Sequence, residues 1–267
     1  MWIDTHCHLD ASEFSGEEAV IAAQAKEQGV DCIVIPAVAR VNFSKVAELS
    51  RSLPGCVYAL GIHPIFVPTA KESDLDELRD MVAAAMQDER FVAIGEIGLD
   101  FFVPALKEPP LRDKQEYFFS EQLKIARDFG LPVLMHVRRS VDIVLKHLRR
   151  IEVAGGIAHA YNGSFQQTGE FVKRGFKLGF GGAMTFTRAL QIRRLATELP
   201  IESIVLETDA PDIAPAWVHP GRNSPAELPR IAETLAQLRG MGLAELAQAT
   251  SNNARAAMPR LAKLPLS

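Results

Sequence analysis

The chain has little of what would mark a secreted, membrane-spanning or nucleic-acid-coating protein. Among 267 residues there are three cysteines, Cys7, Cys32 and Cys56. Their spacing matches no zinc finger and offers no disulfide framework, which suits reduced thiols buried as small hydrophobes. No apolar run reaches transmembrane length. A basic region followed by an apolar core is missing from the N-terminus, where Asp4, His6 and His8 stand instead, so a cytoplasmic protein is expected. Positive charge is not in excess either: 29 Lys and Arg against 33 Asp and Glu leave a net −4. That argues against a broad phosphate-tracking face. It leaves room for one phosphate-bearing strand end in a pocket whose metal ions a residue count omits. No linker, low-complexity segment or sequence repeat divides the chain.

What is present is an ordinary globular composition, 48% hydrophobic and 23% charged. The length is that of one α/β barrel, about 250 residues, so a single domain over 1–267 is expected. Short apolar strand-like segments lie at 3–8, 31–38, 56–64, 91–100, 131–137, 156–161, 176–182 and 201–209. Helical patterns separate them, the first opened by a Ser15…Glu18 capping box and running to about 28. The others cover about 43–52, 74–88, 112–129, 140–150, 164–174 and 188–198. A second box, Ser224-Pro225-Ala226-Glu227, opens a helix over 225–239, and one more over 243–257 closes the chain. The proline-rich run 101–110 reads as an active-site loop. Eight buried strands alternating with helices mean a parallel sheet covered on both faces. At this length they favour a closed (β/α)8 TIM barrel with an additional C-terminal helix.

In a strand side chains alternate, so His6 and His8 share a face that Cys7 leaves for the core. Later strands end in His63, Glu96, His136, His159 and Asp209, and in a barrel all these ends form the floor of one cup. Six of the seven histidines lie at or just beyond strand ends, with only His147 inside a helix. Imidazoles and carboxylates without thiolates suit Zn²⁺, Mn²⁺ or Fe²⁺, and a carboxylate-bridged pair also suits Mg²⁺. Two ions about 3.5–4 Å apart need a bridging anion, for which Glu96 is the natural candidate.

Around the cup, Arg138 and Arg139 follow the strand-five histidine. One can reach over it toward phosphate oxygens; alternatively both are solvated charges flanking a helix. Lys107, Arg112, Arg188 and Arg222 occupy other rim loops. Phe101, Phe102, Tyr161 and Trp217 offer stacking surfaces for terminal bases, although Phe101 and Phe102 could equally shut the rim against water. Gly179, Gly181 and Gly182 resemble a close-approach site for phosphate.

Six segments together resemble the TatD-related deoxyribonucleases and their bacterial YjjV-like subgroup, within the amidohydrolase-type barrel hydrolases. They are Ile3-Asp4-Thr5-His6-Cys7-His8, Gly61-Ile62-His63-Pro64, Gly95-Glu96-Ile97-Gly98-Leu99-Asp100, the strand from Pro132 to His136, His159, and Glu207-Thr208-Asp209-Ala210-Pro211. The resemblance spans essentially the whole chain. It implies one ion on His6, His8, Glu96 and Asp209 and another on Glu96, His136 and His159. That makes two divalent ions per chain (Mg, Mn or Zn) and no organic cofactor. His63 and Asp100 would stand behind the ligands or face the substrate. One departure is Ala160-Tyr161, where many relatives carry Cys-Phe or Gly-Phe.

The expected activity is phosphodiester hydrolysis by metal-activated water. The substrate implied is DNA, as a single strand or duplex end and often cut from the 3′ end, with RNA the alternative. Asp209 has two candidate jobs, ligand and acceptor of the water's proton, while Glu96, His63 and Arg138 complete the catalytic set. His63, Asp100, Arg138, Arg139 and Tyr161 are the expected substrate contacts. No membrane and no obligate protein partner are implied. The rival activity is the same cup acting on a small-molecule ester, lactone, amide or phosphomonoester. The non-enzymatic rival, a metal-binding scaffold, predicts an eroded ligand set, and none of the ligands is missing.

Overall fold

Each apolar run becomes a strand, and all eight join one parallel sheet in chain order. In the computed structural model, which describes residues 1–263, they are β1 (Trp2–Asp4), β2 (Val30–Pro36), β3 (Cys56–Leu60), β4 (Phe91–Asp100), β5 (Val133–Arg138), β6 (Gly156–Ala158), β7 (Phe176–Phe180) and β8 (Ile204–Leu206). The last four residues of the expected 1–267 domain lie outside the described part. At the seam the backbone N–H and Oγ1 of Thr5 both donate to Leu206 O (3.1 and 3.0 Å), and Asp209 N donates to His6 O at 2.8 Å. These bonds draw β8 back onto β1, giving the nearly closed barrel that the alternation predicts.

The helices α1 (Glu18–Glu27), α2 (Phe43–Ser52), α3 (Ser73–Ala85), α4 (Leu111–Asp128), α5 (Val141–Leu148), α6 (Phe165–Val172), α7 (Leu190–Glu198) and α8 (Leu228–Arg239) surround it. Inside, Val34, Val57, Val92, Leu134, Ile157 and Val205 are buried in one cluster with Ala254, Ala257, Met258 and Leu261. Each such aliphatic side chain withdrawn from water contributes about 1.5–3 kcal/mol. The extra helix α9 (Leu243–Ala257) therefore plugs the floor of the barrel. Asn253 fixes it there, donating to Ile201 O and Ile204 O (2.6 and 2.8 Å) at the start of β8. Among the described residues that end of the barrel is filled, and the strand ends that bear the expected ligands lie at the other, carboxyl end. The three cysteines are buried and unpaired.

Local capping departs from expectation in two places. Gly16 turns at φ +84°, so the path from Ser15 is not helical, and α1 starts at Glu18, whose carboxylate accepts from Gly16 N. Ser224 does cap, accepting from Ala226 N, but it caps a single 3₁₀ turn before α8. The carboxylate of Glu227, instead of reciprocating, accepts from Trp217 Nε1 at 2.7 Å. The first strand is also shorter than expected, and His6 and His8 lie just past it.

Candidate metal centre

Strands β6 and β8 stop one and three residues short of their expected ligands, and the chain then turns sharply. Asp209 and Ala160, the latter next to His159, hold left-handed φ values of +57° and +43°. Such backbone costs a non-glycine residue about 1–3 kcal/mol, which the surroundings must offset. At Asp209 the bond to His6 O, with Asp212 N donating to Asp209 O at 2.9 Å, holds the turn. Beneath it, Asp4 is fully buried and accepts from His6 N (3.2 Å), Thr208 N (3.0 Å) and Thr208 Oγ1 (2.6 Å). One carboxylate thus ties the first and last strand ends together. Burial pushes Asp4 up to about 7, against the lowering effect of those bonds.

Five imidazoles and two carboxylates meet at the cup floor. Four donors, His6 Nε2, His8 Nε2, Glu96 Oε2 and Asp209 Oδ1, form one group. His6 lies 3.2 Å from His8, 3.1 Å from Glu96 and 3.6 Å from Asp209. His8 lies 3.4 Å from Glu96 and 3.6 Å from Asp209. Donors held tetrahedrally at about 2.0–2.1 Å from one cation would stand about 3.3–3.4 Å apart, so the spacing is that of a coordination shell. The other oxygen of Glu96 heads a second group, with Oε1 2.8 Å from His159 Nε2, 3.1 Å from His136 Nδ1 and 3.3 Å from His63 Nε2. Clustered in this way, the His, Glu and Asp side chains are compatible with one or two metal ions.

The electrostatics fit a cation-receiving site. Burial lowers His6 to about 3 and His63 to about 4, so both imidazoles are neutral; Nδ1 of His63 accepts from Ile65 N at 3.2 Å, which leaves its proton on Nε2, facing Glu96. For His8, burial also works downward, but Glu96 and Asp209 outweigh it and raise the group to about 9. His159 is raised well above its usual range, Glu96 outweighing burial in the same way. Those two imidazoles carry protons that a cation would displace. Burial raises Asp209 to about 6. Glu96 is held well below the usual carboxylate range because surrounding imidazoles outweigh its burial.

The structure therefore brings His6, His8, Glu96, His136, His159 and Asp209 together, with His63 beside them, its Nε2 3.3 Å from Glu96 Oε1. Asp100 differs from expectation as a substrate contact. It is fully buried, its Oδ2 3.0 Å from His136 Nε2 and its Oδ1 accepting from Phe102 N and Val103 N (2.8 and 3.0 Å). Its carboxylate points the imidazole and stays out of a substrate's reach. Tyr161 is corrected too. It is 1% exposed, with its ring against Phe171 and its hydroxyl accepting from Thr168 Oγ1, so no face is left for a base. Trp217 is occupied by Glu227 and by the Arg230 guanidinium over its ring. Arg112 pairs with Glu116, and Arg222 with Glu17.

Two acids of the centre had no role assigned from sequence. Asp4 is one, and Glu207 the other. Glu207 is 1% exposed, its Oε1 accepting from Ala160 N and lying 3.7 Å from His159 Nδ1. Gly179 makes room for it: a Cβ there would come 2.0 Å from Glu207 Oε2. At Gly179 the missing side chain leaves space for a carboxylate, whereas Gly181 and Gly182 lie against the backbone of Glu207 and Ile213. A carboxylate two residues from a ligand in an otherwise apolar strand was the signal for both.

Above the donors opens a cleft of about 1080 Å³ lined by His8, His63, Glu96, His136, His159 and Asp209 at its floor and by Phe66, Phe102, Arg138, Arg139 and Ile213 higher up. Among the described residues no helix is long and apolar enough to cross a membrane. Residues 3–259 match the family model described as TatD related DNase. An uncharacterised metal-dependent hydrolase of Escherichia coli, YjjV, is 37% identical over 253 residues, 94% of this chain and 95% of that one. A Haemophilus influenzae metal-dependent hydrolase, also uncharacterised, is 35% identical, covering 89% of this chain and 92% of its own. The crystal structure of E. coli YjjV superposes with a TM-score of 0.90 at 36% identity, over 97% of this chain and 98% of its own.

Proposed function

The chain belongs to the TatD-related DNase family and is a metal-dependent hydrolase, and on that premise we propose that it hydrolyses DNA phosphodiester bonds at a single strand or duplex end, from the 3′ end. The observation that carries this reading is the split of Glu96. One oxygen faces His6 and His8, and the other faces His63, His136 and His159. A single carboxylate that serves two donor groups suits a bridged cation pair, about 3.5–4 Å apart in sites that perform in-line displacement at phosphorus. Divalent cations held there would supply an activated water and offset charge growing on the phosphoryl oxygens.

The chain's own residues do the rest. Asp209, lifted by burial to about 6, sits nearer neutrality than a free carboxylate and is the better proton acceptor for it. His63, neutral at the cleft floor, is placed to hydrogen-bond a phosphoryl oxygen. Glu96 and the flanking imidazoles hold the reacting centre where bulk water is excluded. Arg138 and Arg139 line the cleft and contact the nucleic acid.

The test is digestion of DNA and RNA labelled at either end, with protein reconstituted with Mg²⁺ or Mn²⁺ and products resolved on a gel. A ladder shortening from the 3′ end of 5′-labelled DNA is expected. No cleavage of either nucleic acid, alongside turnover of an ester, lactone, amide or phosphomonoester panel, overturns the reading.

A further inference from the structure

The cleft's arginines stand side by side. Among its described lining residues Arg138 and Arg139 are the only Arg or Lys, while Asp10, Glu13 and Asp212 line it elsewhere. Both guanidiniums gather at one ring, their Cζ atoms 3.8 and 4.7 Å from the centre of Phe102, which is 42% exposed. Stacking on an aromatic face holds an arginine without neutralising it. The carboxylate nearest Arg138 is Asp100, at 3.9 Å, already occupied by His136 and two backbone N–H groups. Bringing two like charges to one ring is unfavourable unless an anion arrives between or beside them.

Two further features converge there. Arg139 has φ +56°, a left-handed conformation that costs a non-glycine residue about 1–3 kcal/mol and follows directly on Arg138. Next comes the N-terminus of α5, where Ser140 does not cap: its hydroxyl donates to Leu99 O at 2.6 Å. Val141, the first residue of the helix, lines the cleft, and Asp142 is engaged by Gln167 Nε2 at 2.8 Å. The positive end of the helix therefore faces the same spot as the guanidiniums.

This spot is not the metal centre. His136 turns Nδ1 toward Glu96 and Nε2 toward Asp100, and Arg138 lies beyond Asp100, with the imidazole ring between it and the donors. A phosphate seated on the donors is thus not the one that these arginines meet.

We propose that Phe102, Arg138, Arg139 and the α5 N-terminus form a second phosphate subsite, which takes the phosphate next to the scissile one. The inference rests on the phosphodiester reading. Phe102 is the positioning residue, presenting both guanidiniums, and the subsite makes the enzyme count phosphates: a substrate with one is held poorly, a substrate with two is held well.

Thymidylyl-thymidine, with one phosphate, is compared with the same dinucleotide carrying an added 5′- or 3′-terminal phosphate. Hydrolysis is measured with metal present, and binding to metal-free protein in chelator. In the wild type the second phosphate is expected to raise kcat/KM by about tenfold or more, mostly through KM, since one retained charge-assisted contact is worth about a decade. Which terminal phosphate helps identifies the side. In R138Q/R139Q that gain should fall to about twofold or less, and in F102L to an intermediate value. A gain of equal size in wild type and double variant, or no gain in wild type, overturns the subsite. If neither the dinucleotides nor the end-labelled DNA and RNA are hydrolysed, the phosphodiester reading fails by itself. The chelator arm then judges the subsite: about tenfold tighter binding of the two-phosphate compound, lost in the double variant, upholds it, and equal binding overturns it.

Discussion

Replacing Asp100 by Asn isolates the contribution of one proton to the metal centre. The Oδ1 of Asp100 accepts from Phe102 N and Val103 N, at 2.8 and 3.0 Å, and its Oδ2 lies 3.0 Å from His136 Nε2. An asparagine there must keep its oxygen on the two backbone donors, because turning the amide would set NH₂ against N–H twice. The NH₂ then faces His136 Nε2, which has to accept, and the imidazole proton moves to Nδ1. That is the atom 3.1 Å from Glu96 Oε1, and a protonated nitrogen cannot coordinate. Loss of a carboxylate that orients a ligating histidine typically costs about 10–100-fold in metal affinity, or about 1.4–2.7 kcal/mol. Titration of metal-free protein with Zn²⁺ or Mn²⁺, followed calorimetrically, should show the loss in the event served by His136 and His159. The event served by His6, His8 and Asp209 should stay within about twofold of wild type, since a tenfold change would need about 1.4 kcal/mol. Two binding events of wild-type affinity in D100N would refute the assignment of Asp100 as the group that sets the tautomer.

Glu96→Ala and His136→Ala are each expected to abolish hydrolysis, by about three orders of magnitude or more, with the far-ultraviolet spectrum preserved; unchanged turnover with stoichiometric metal would remove the site. In Gly179→Ala the new Cβ stands 2.0 Å from Glu207 Oε2, and crowding of this kind costs about 1–3 kcal/mol. A melting temperature equal to wild type would show that Glu207 is not fixed there. At the far end of the barrel, Asp88 is held below the usual carboxylate range because bonds from Arg90 N, Arg51 and Tyr58 outweigh its partial burial. A depressed carboxyl stabilises the fold above its unfolded pKa, near 3.9, and that stability fades as pH falls through the lower folded value. Asp88→Asn should therefore flatten the acid limb of denaturant-measured stability below about pH 4 by about 1 kcal/mol, while hydrolysis is unaltered; an acid limb as steep as wild type would count against it.

What the sequence determined by itself was the order of elements and the location of the chemistry. Alternation of short apolar runs with amphipathic ones is a local property, and so is the position of His6, His8, His63, His136 and His159 at the ends of those runs. Once strands lie parallel, their carboxyl ends share one rim, and residues far apart in sequence must face one another. Tertiary structure decided which atom faces which. The bonds between Asp4 and Thr208 join residues 204 apart, and no window of sequence contains both. The division of Glu96 between two donor groups, the turn of His136 toward Asp100 and the wedging of Glu207 over Gly179 likewise arise from contacts across the barrel. For the same reason Tyr161 was misread: at the end of a strand an aromatic ring can turn outward to a ligand or inward to a helix, and Phe171 and Thr168 of α6 settle it. Covalent order fixes the rim on which a side chain stands, but its rotamer is set by the neighbours that close packing brings to it.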